Sequence, residues 1–213
     1  VAVGAGLMKA TQAAAADAQQ QVVLANALKR NAGATDAAIA STEEWITKQG
    51  ELLGVADDQL RPALSSLVAA TKDVQKSQIL ATTAMDISAA TGVDVQTAAQ
   101  ALAKAYQGNT GQLSKMVVGI DKAALKSKDF GAIYQSVNKI VGGQAAKSAD
   151  TAAGAMARTK VAFNEATEQL GYAFMPIMKE FATFIQQNVV PVIQTLANWF
   201  GGLTDQQKNL VVG

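Results

Sequence analysis

The chain has 213 residues, of which 49% are apolar and only 5% aromatic, and its 18 basic residues nearly balance 17 acidic ones. It contains no Cys and no His, which excludes disulfides, thiolate nucleophiles, Cys/His zinc sites and histidine acid–base catalysis. A protein that binds phosphate backbones needs a surplus of cations, which this chain lacks. We therefore expect no specific nucleic-acid partner, no cofactor and no metal.

The composition also predicts the fold class. Ala and Gln, both good helix formers, are abundant, and the chain has only three Pro. No uncharged apolar run reaches the length of about 18 residues that a membrane span requires. The chain begins Val1-Ala2-Val3-Gly4 and ends in an apolar pattern at Val211 and Val212, which predicts a piece of a longer protein. The expected fold is all-α: an elongated helical assembly with a compact cluster of short helices and a long amphipathic C-terminal helix.

The first segment, residues 1–33, is predicted to be one Ala- and Gln-rich helix over Gly6 to Arg30. Ser41 and Glu44 have the spacing of a capping box, in which each side chain satisfies a backbone donor at the start of a helix. The next helix is therefore predicted to begin at Ser41 and to end near Gly54.

The second segment, residues 34–147, is predicted to be a cluster of short helices separated by glycines. Asp57 or Asp58 is expected to cap a helix that has Pro62 in its first turn, where a missing N–H costs little. The later helices are predicted over Val74 to Thr91 with a C-cap at Gly92, from a cap at Asp94 to Gly108, and around 113–118, 122–126 and 129–141.

The third segment, residues 148–213, is predicted to be a long amphipathic helix, continuous from Ser148 and interrupted at Pro176 and Pro191, with a further helix from Thr204. Four of its large apolar residues recur every seven positions, and two more follow at four positions on. This spacing predicts an apolar stripe along one helix face. The stripe consists of Phe163, Leu170, Phe174, Ile177, Phe181 and Phe184.

The stripe has two interpretations. It is either the core-facing side of a helix within one domain, or a contact surface for self-association or for a membrane. Both acidic and basic residues accompany it, which favours a protein partner over an anionic membrane. These charged residues are Lys160, Glu165, Glu168, Lys179 and Glu180.

Paired carboxylates are the only candidates for catalysis. Glycoside hydrolysis needs two carboxyl groups about 5 to 9.5 Å apart across a cleft. Helix capping accounts better for the first two pairs, and a solvated helix face for the third, so no catalytic residue is predicted. The pairs are Glu43 with Glu44, Asp57 with Asp58, and Glu165 with Glu168.

Five segments from Leu53 onward carry a family resemblance through their order and spacing. They are Met85-Asp86-Ile87-Ser88-Ala89-Ala90-Thr91-Gly92, Ala101-Leu102-Ala103-Lys104-Ala105-Tyr106-Gln107-Gly108-Asn109-Thr110-Gly111, Lys126-Ser127-Lys128-Asp129-Phe130, Gly142-Gly143-Gln144-Ala145-Ala146 and Ala149-Asp150-Thr151-Ala152-Ala153-Gly154, leading into a helix with Leu170-Gly171 and Met175-Pro176. Together they resemble an internal segment of the tape measure proteins of long-tailed, siphovirus-like bacteriophages.

The resemblance implies a structural protein of the virion, without enzymatic activity. Such a protein fills the lumen of the tail tube, sets the length of the tube, scaffolds tail assembly and leaves for the host cell envelope ahead of the DNA. The implied partners are further copies of the chain, taken as a trimer, the tail tube and tail tip proteins, and the host membrane at ejection. The alternatives are a membrane-active helical protein that forms a channel for DNA passage, and a murein-cleaving enzyme.

Overall fold

The computed structural model describes residues 2–202. This part of the chain consists of helices joined by short turns and contains no strand, so the predicted all-α class is confirmed. The helices are α1 (Ala2–Ala32), α2 (Asp36–Leu53), α3 (Asp57–Thr71), α4 (Val74–Thr91), α5 (Val95–Tyr106), α6 (Gly111–Met116), α7 (Lys122–Ser127), α8 (Phe130–Val141), α9 (Gln144–Ala149), α10 (Ala152–Phe184) and α11 (Val190–Gly201), with a π-helical turn at Ile185–Val189.

Several helix ends are set by the residues that the sequence pattern indicated. The Asp94 side chain accepts a hydrogen bond from the Thr97 backbone N–H and so caps α5. Gly92 ends α4 with φ of 77°, a left-handed conformation that glycine adopts without steric cost. Gly54 ends α2 in the same way.

Several predicted boundaries are wrong. Thr35, not Ser41, is the N-cap of α2, because its side chain accepts the Ala38 N–H and leaves Ser41 inside the helix. Pro62 is the sixth residue of α3 rather than part of its first turn. The helix predicted to continue from Ser148 is divided, since α9 ends at Ala149 and α10 begins at Ala152.

The prolines of the third segment differ from the expectation as well. The predicted interruption at Pro176 is wrong, since α10 passes through this residue without a break. Near Pro191 the regular α-helix does give way, in the π-helical turn Ile185–Val189. The helix predicted from Thr204 lies outside the described residues.

The chain separates into two compact units, which differ from the three segments expected from the sequence. Residues 16–167 form the first, called here the cluster unit. Among the described residues, 2–15 together with 168–202 form the second, called here the stripe unit. Each unit is described by itself below.

The core of the cluster unit is built around α3. Leu60, Leu64, Leu67 and Val68 of this helix are all at most 1% exposed. Helix α5 packs against α3 with a face of small residues, which lets the two helices approach closely. These residues of α5 are Ala98, Ala99, Ala101 and Ala105.

A carboxylate in α4 fixes the start of α9. The side chain of Asp86 is 6% exposed and accepts hydrogen bonds from the backbone N–H groups of Gly143, at 3.0 Å, and Ala145, at 2.9 Å. Donors at the start of a helix have no partner within the helix, so Asp86 caps α9 from a distance of more than fifty residues along the chain.

We expect Asp86→Ala to lower the free energy of unfolding by about 2 to 3 kcal/mol, because it removes two charge-assisted hydrogen bonds and leaves the buried N–H of Ala145 without its acceptor. Asp86→Asn keeps one acceptor oxygen and should cost less. Urea denaturation followed by circular dichroism measures both. Exposed Glu51 of α2 provides the control, and an Asp86→Ala variant as stable as Glu51→Ala would contradict the capping role.

Candidate association surface

The large apolar side chains of the stripe are exposed. In the stripe unit, Leu170 is 59% exposed, Ile177 and Phe181 are 57% exposed and Phe184 is 54% exposed, whereas Phe174 is half-buried. Phe163, which belongs to the cluster unit, is 72% exposed. Within the unit that holds it, each of these five side chains is therefore largely uncovered, and whether the stripe is an intrachain core or a contact between chains stays a prediction.

Another face of α10 makes the close contact within the stripe unit. Gly171 is buried against α1, and a Cβ atom added to it would overlap the carbonyl oxygen of Ala10 and lie 2.9 Å from the Cβ of Ala14. The two helices thus meet through backbone and small side chains at this point. Leu170, the residue before Gly171, is left outside the contact.

The spacing of the stripe is that of a coiled-coil seam. Leu170, Ile177 and Phe184 occupy one position of a heptad repeat, here called d, and Phe174 and Phe181 occupy the position called a. The flanking e and g positions are small or uncharged except for one carboxylate, so an identical neighbouring helix meets little electrostatic repulsion there. These flanking residues are Ala173, Met178 and Glu180, whereas Gly171, which also holds a flanking position, is already covered by α1.

Helix α11 adds further exposed apolar residues. Val192, Ile193, Leu196 and Trp199 are each between 55% and 58% exposed. Monomeric soluble proteins rarely leave so many large apolar side chains uncovered in a row, and such surfaces mark contacts with a partner.

The candidate catalytic carboxylates have a different role from the one predicted. Arg61 is buried. Its Nε donates a hydrogen bond to Glu43 Oε2, at 2.9 Å, and its Nη1 donates one to Asp17. The same Nη1 lies 2.6 Å from Asp57 Oδ2. The capping interpretation is therefore wrong for Glu43, which lies inside α2. It is wrong for Asp57 and Asp58 as well, because Ala56 is the N-cap of α3 and makes no side-chain cap hydrogen bond. Asp57 is the first residue of the helix, and its Oδ1 accepts the N–H of Asp58.

The sequence pattern does not reveal this cluster, called here the Arg61 cluster and consisting of Arg61, Asp17, Glu43 and Asp57. Asp17 precedes Arg61 by 44 positions, and Glu43 by 18. Only the Asp57–Arg61 pair has a local signal, the i,i+4 spacing of an ion pair within a helix.

Burial sets the protonation behaviour of the Arg61 cluster. Burial raises the pKa of the Asp57 carboxyl, although the Arg61 charge opposes the shift. Burial lowers the pKa of Arg61, but the Asp57 and Glu43 carboxylates outweigh it and the net shift is upward. Burial and the charges of Asp57 and Asp17 also raise the pKa of half-buried Glu165, so the interpretation of Glu165 as part of a fully solvated face is wrong. The arrangement is a buried ion-pair network in which one cation contacts three acidic side chains.

Replacing Arg61 by Met should destabilise the cluster unit by about 3 to 5 kcal/mol at pH 7, because three carboxylates lose their shared counterion. Without Arg61, nothing opposes the effect of burial on Asp57, and the pKa of this carboxyl rises further above its unfolded value. The penalty is then present above the folded pKa and is relieved as the pH falls through it.

The stability deficit of Arg61→Met should therefore shrink between pH 7 and pH 4. Guanidinium denaturation at several pH values measures it, with Arg30→Met, a change at an exposed arginine of α1, as the control. A deficit that matches the control would show that the ion pairs contribute no stability, and a large deficit that stays constant with pH would contradict the predicted rise in the pKa of Asp57.

No helix among residues 2–202 combines the length and apolarity needed to cross a membrane. Comparison with protein-family models, with curated proteins and with solved structures finds no match to this chain. The exposed apolar stripe and the buried ion-pair network are therefore the features of the described residues that bear on function.

Proposed function

We propose that this chain is an internal segment of the tape measure protein of a long-tailed bacteriophage. In this role it is a helical, non-catalytic structural element that sets tail tube length, scaffolds tail assembly and occupies the tube lumen until ejection. Its partners are further copies of itself and the tail tube and tail tip proteins.

The observation that carries the proposal is the uncovered stripe of α10. Full burial of one such side chain is worth about 1.5 to 3 kcal/mol, so leaving several of them in water is costly. Their heptad spacing fits a parallel bundle of identical helices, which a tube lumen accommodates along its axis. Helix also suits a length ruler, because each residue adds about 1.5 Å along the helix axis.

Contacts between the segments that carry the family resemblance add support. Asp86 of the first segment binds the backbone of Gly143 and Ala145 in the fourth. Tyr106 of the second packs edge-on against Phe130 of the third, with ring centroids 5.0 Å apart. Segments far apart in sequence thus meet within the cluster unit, as expected if their order and spacing encode a fold rather than a catalytic centre.

Self-association is tested by replacing Leu170 and Ile177 together with Asp. Two buried charges are not tolerated in an apolar seam, so the variant should sediment as a monomer in analytical ultracentrifugation while keeping its helical circular dichroism. The control replaces Gln169 and Gln186, which lie on other faces of the same chain segment, with Asp and should leave the oligomer intact. A wild-type chain that already sediments as a monomer would contradict the proposal.

The ruler function is tested in a phage whose tape measure gene encodes this chain. A duplication of about 50 codons within the helical region should lengthen the tail by about 75 Å, if the added residues are helical. Electron microscopy of the tails measures the change, with a same-length segment replacement as the control. Tails of unchanged length would argue against a ruler. Leakage of dye from liposomes, or murein cleavage in a zymogram, would favour the membrane-active or enzymatic alternative instead.

A further inference from the structure

The apolar stripe does not end with α10. Ile177 and Phe184 are seven residues apart, and Val192 and Trp199 of α11 are again seven residues apart. Between the two pairs, however, the step from Phe184 to Val192 is eight residues. The sequence of the stripe thus contains one extra residue at the junction of α10 and α11.

The other position of the repeat shows the same excess. Phe174 and Phe181 are seven residues apart, Val189 follows Phe181 by eight, and Leu196 follows Val189 by seven. In an α-helix, a side chain seven positions along the chain lies about 20° around the helix axis from the first one. A side chain eight positions along lies about 80° from it. An uninterrupted α-helix would therefore point Val192 and Leu196 away from the stripe of α10.

The π-helical turn Ile185–Val189 absorbs the extra residue. Its hydrogen bond runs from the Val190 N–H to the Ile185 carbonyl, an i→i+5 step. Such a turn takes one residue more than an α-helical turn, which corresponds to roughly 100° of rotation. The eight-residue step from Phe184 to Val192 then rotates like a seven-residue step, and the two halves of the stripe fall on one face.

Pro191 gives this turn a local cause. In an α-helix its ring would collide with the carbonyl of the residue four positions earlier, Gln187, and it has no N–H to donate. Gln187 lies in the π-helical turn, and a turn of this kind has a wider backbone than an α-helix. Pro176 is accommodated within α10 without such a turn, so the wider turn coincides with the extra residue rather than with proline as such.

We propose that the π-helical turn joins the apolar faces of α10 and α11 into one continuous interface, from Leu170 to Trp199, that packs along the same interface of a second copy of this chain. The inference rests on the proposed self-association and extends it across the turn. The continuous interface is about 30 residues long, or about 45 Å of helix.

The length of the interface favours a second copy of α10 and α11 as the partner that packs against it. Helices α2 to α9 have at most 18 residues each, which covers little more than half of it. Helix α1 is longer, but its Ala10 lies against Gly171, outside the stripe. A second copy of α10 and α11 supplies a helix of matching length with the same repeat, so that apolar side chains meet apolar side chains at every level.

The first test introduces a charge on α11. Val192→Asp lies on the proposed interface, whereas Gln194→Asp, two residues away, lies on the opposite face and is the matched control. Analytical ultracentrifugation of the whole chain should show self-association weakened at least about tenfold by Val192→Asp and unchanged by Gln194→Asp.

The second test changes the register. Deleting Gln187 restores a seven-residue step, so an ordinary α-helix keeps the stripe continuous and association should persist. Inserting one Ala after Gln187 makes the step nine residues, which the single π-helical turn does not correct, and association should fall at least about tenfold. Circular dichroism checks that both variants keep their helix content.

The outcomes separate this inference from the proposed function. If Ile177→Asp dissociates the chains but Val192→Asp behaves like Gln194→Asp, self-association through α10 stands and the continuous interface is overturned. Equal behaviour of the Gln187 deletion and the Ala insertion overturns it as well. A wild-type monomer, including one that binds anionic or zwitterionic lipid vesicles instead, overturns both.

Discussion

One buried guanidinium connects the first three helices of the cluster unit. Arg61 lies in α3 and contacts Asp17 of α1, Glu43 of α2 and Asp57 at the start of α3. Buried charges are stable only when they are paired and hydrogen-bonded, so the arrangement of these helices around Arg61 is strongly restricted. A different register of α1 or α2 would leave a carboxylate or the guanidinium buried without its partner. The apolar core formed by α3, α4 and α5 is less selective, because Ala and Leu pack acceptably in many registers.

The stripe unit follows a different physical rule. At Gly171, helix α10 touches α1 through its backbone, and a side chain of any size would prevent the contact. Large apolar residues such as Phe181 and Phe184 lie on the exposed side. A helix with small residues towards its own chain and large ones towards solvent has its main apolar surface directed outward. Under the proposed self-association, burying that surface would link the oligomeric state to the stability of this region.

Local signals in the sequence predict most of the helices, because helix ends depend on a few neighbouring residues. Gly92 and Asp94 terminate and start helices as their backbone preferences require. The errors have the same local origin. Ser41 and Glu44 match a capping box, but the helix already begins after Thr35, which is its N-cap. The capping-box spacing therefore lies inside a helix that starts earlier. The Arg61 cluster and the Asp86 cap of α9 join residues far apart along the chain, and no periodicity within a single helix encodes such contacts.

At the junction of α10 and α11, the structure gives a physical explanation for an irregularity in the apolar repeat. In the sequence alone, the eight-residue step at Phe184 looks like the end of a heptad pattern, and Pro191 looks like a helix break. The π-helical turn changes that interpretation, because it takes up the extra residue and so keeps the apolar residues before and after it on one helix face. A proline that merely ended the helix would not require the apolar repeat to resume at Val192 and Trp199 with its original spacing. The coincidence of proline, π-helical turn and one-residue insertion is the arrangement that the proposed continuous interface requires.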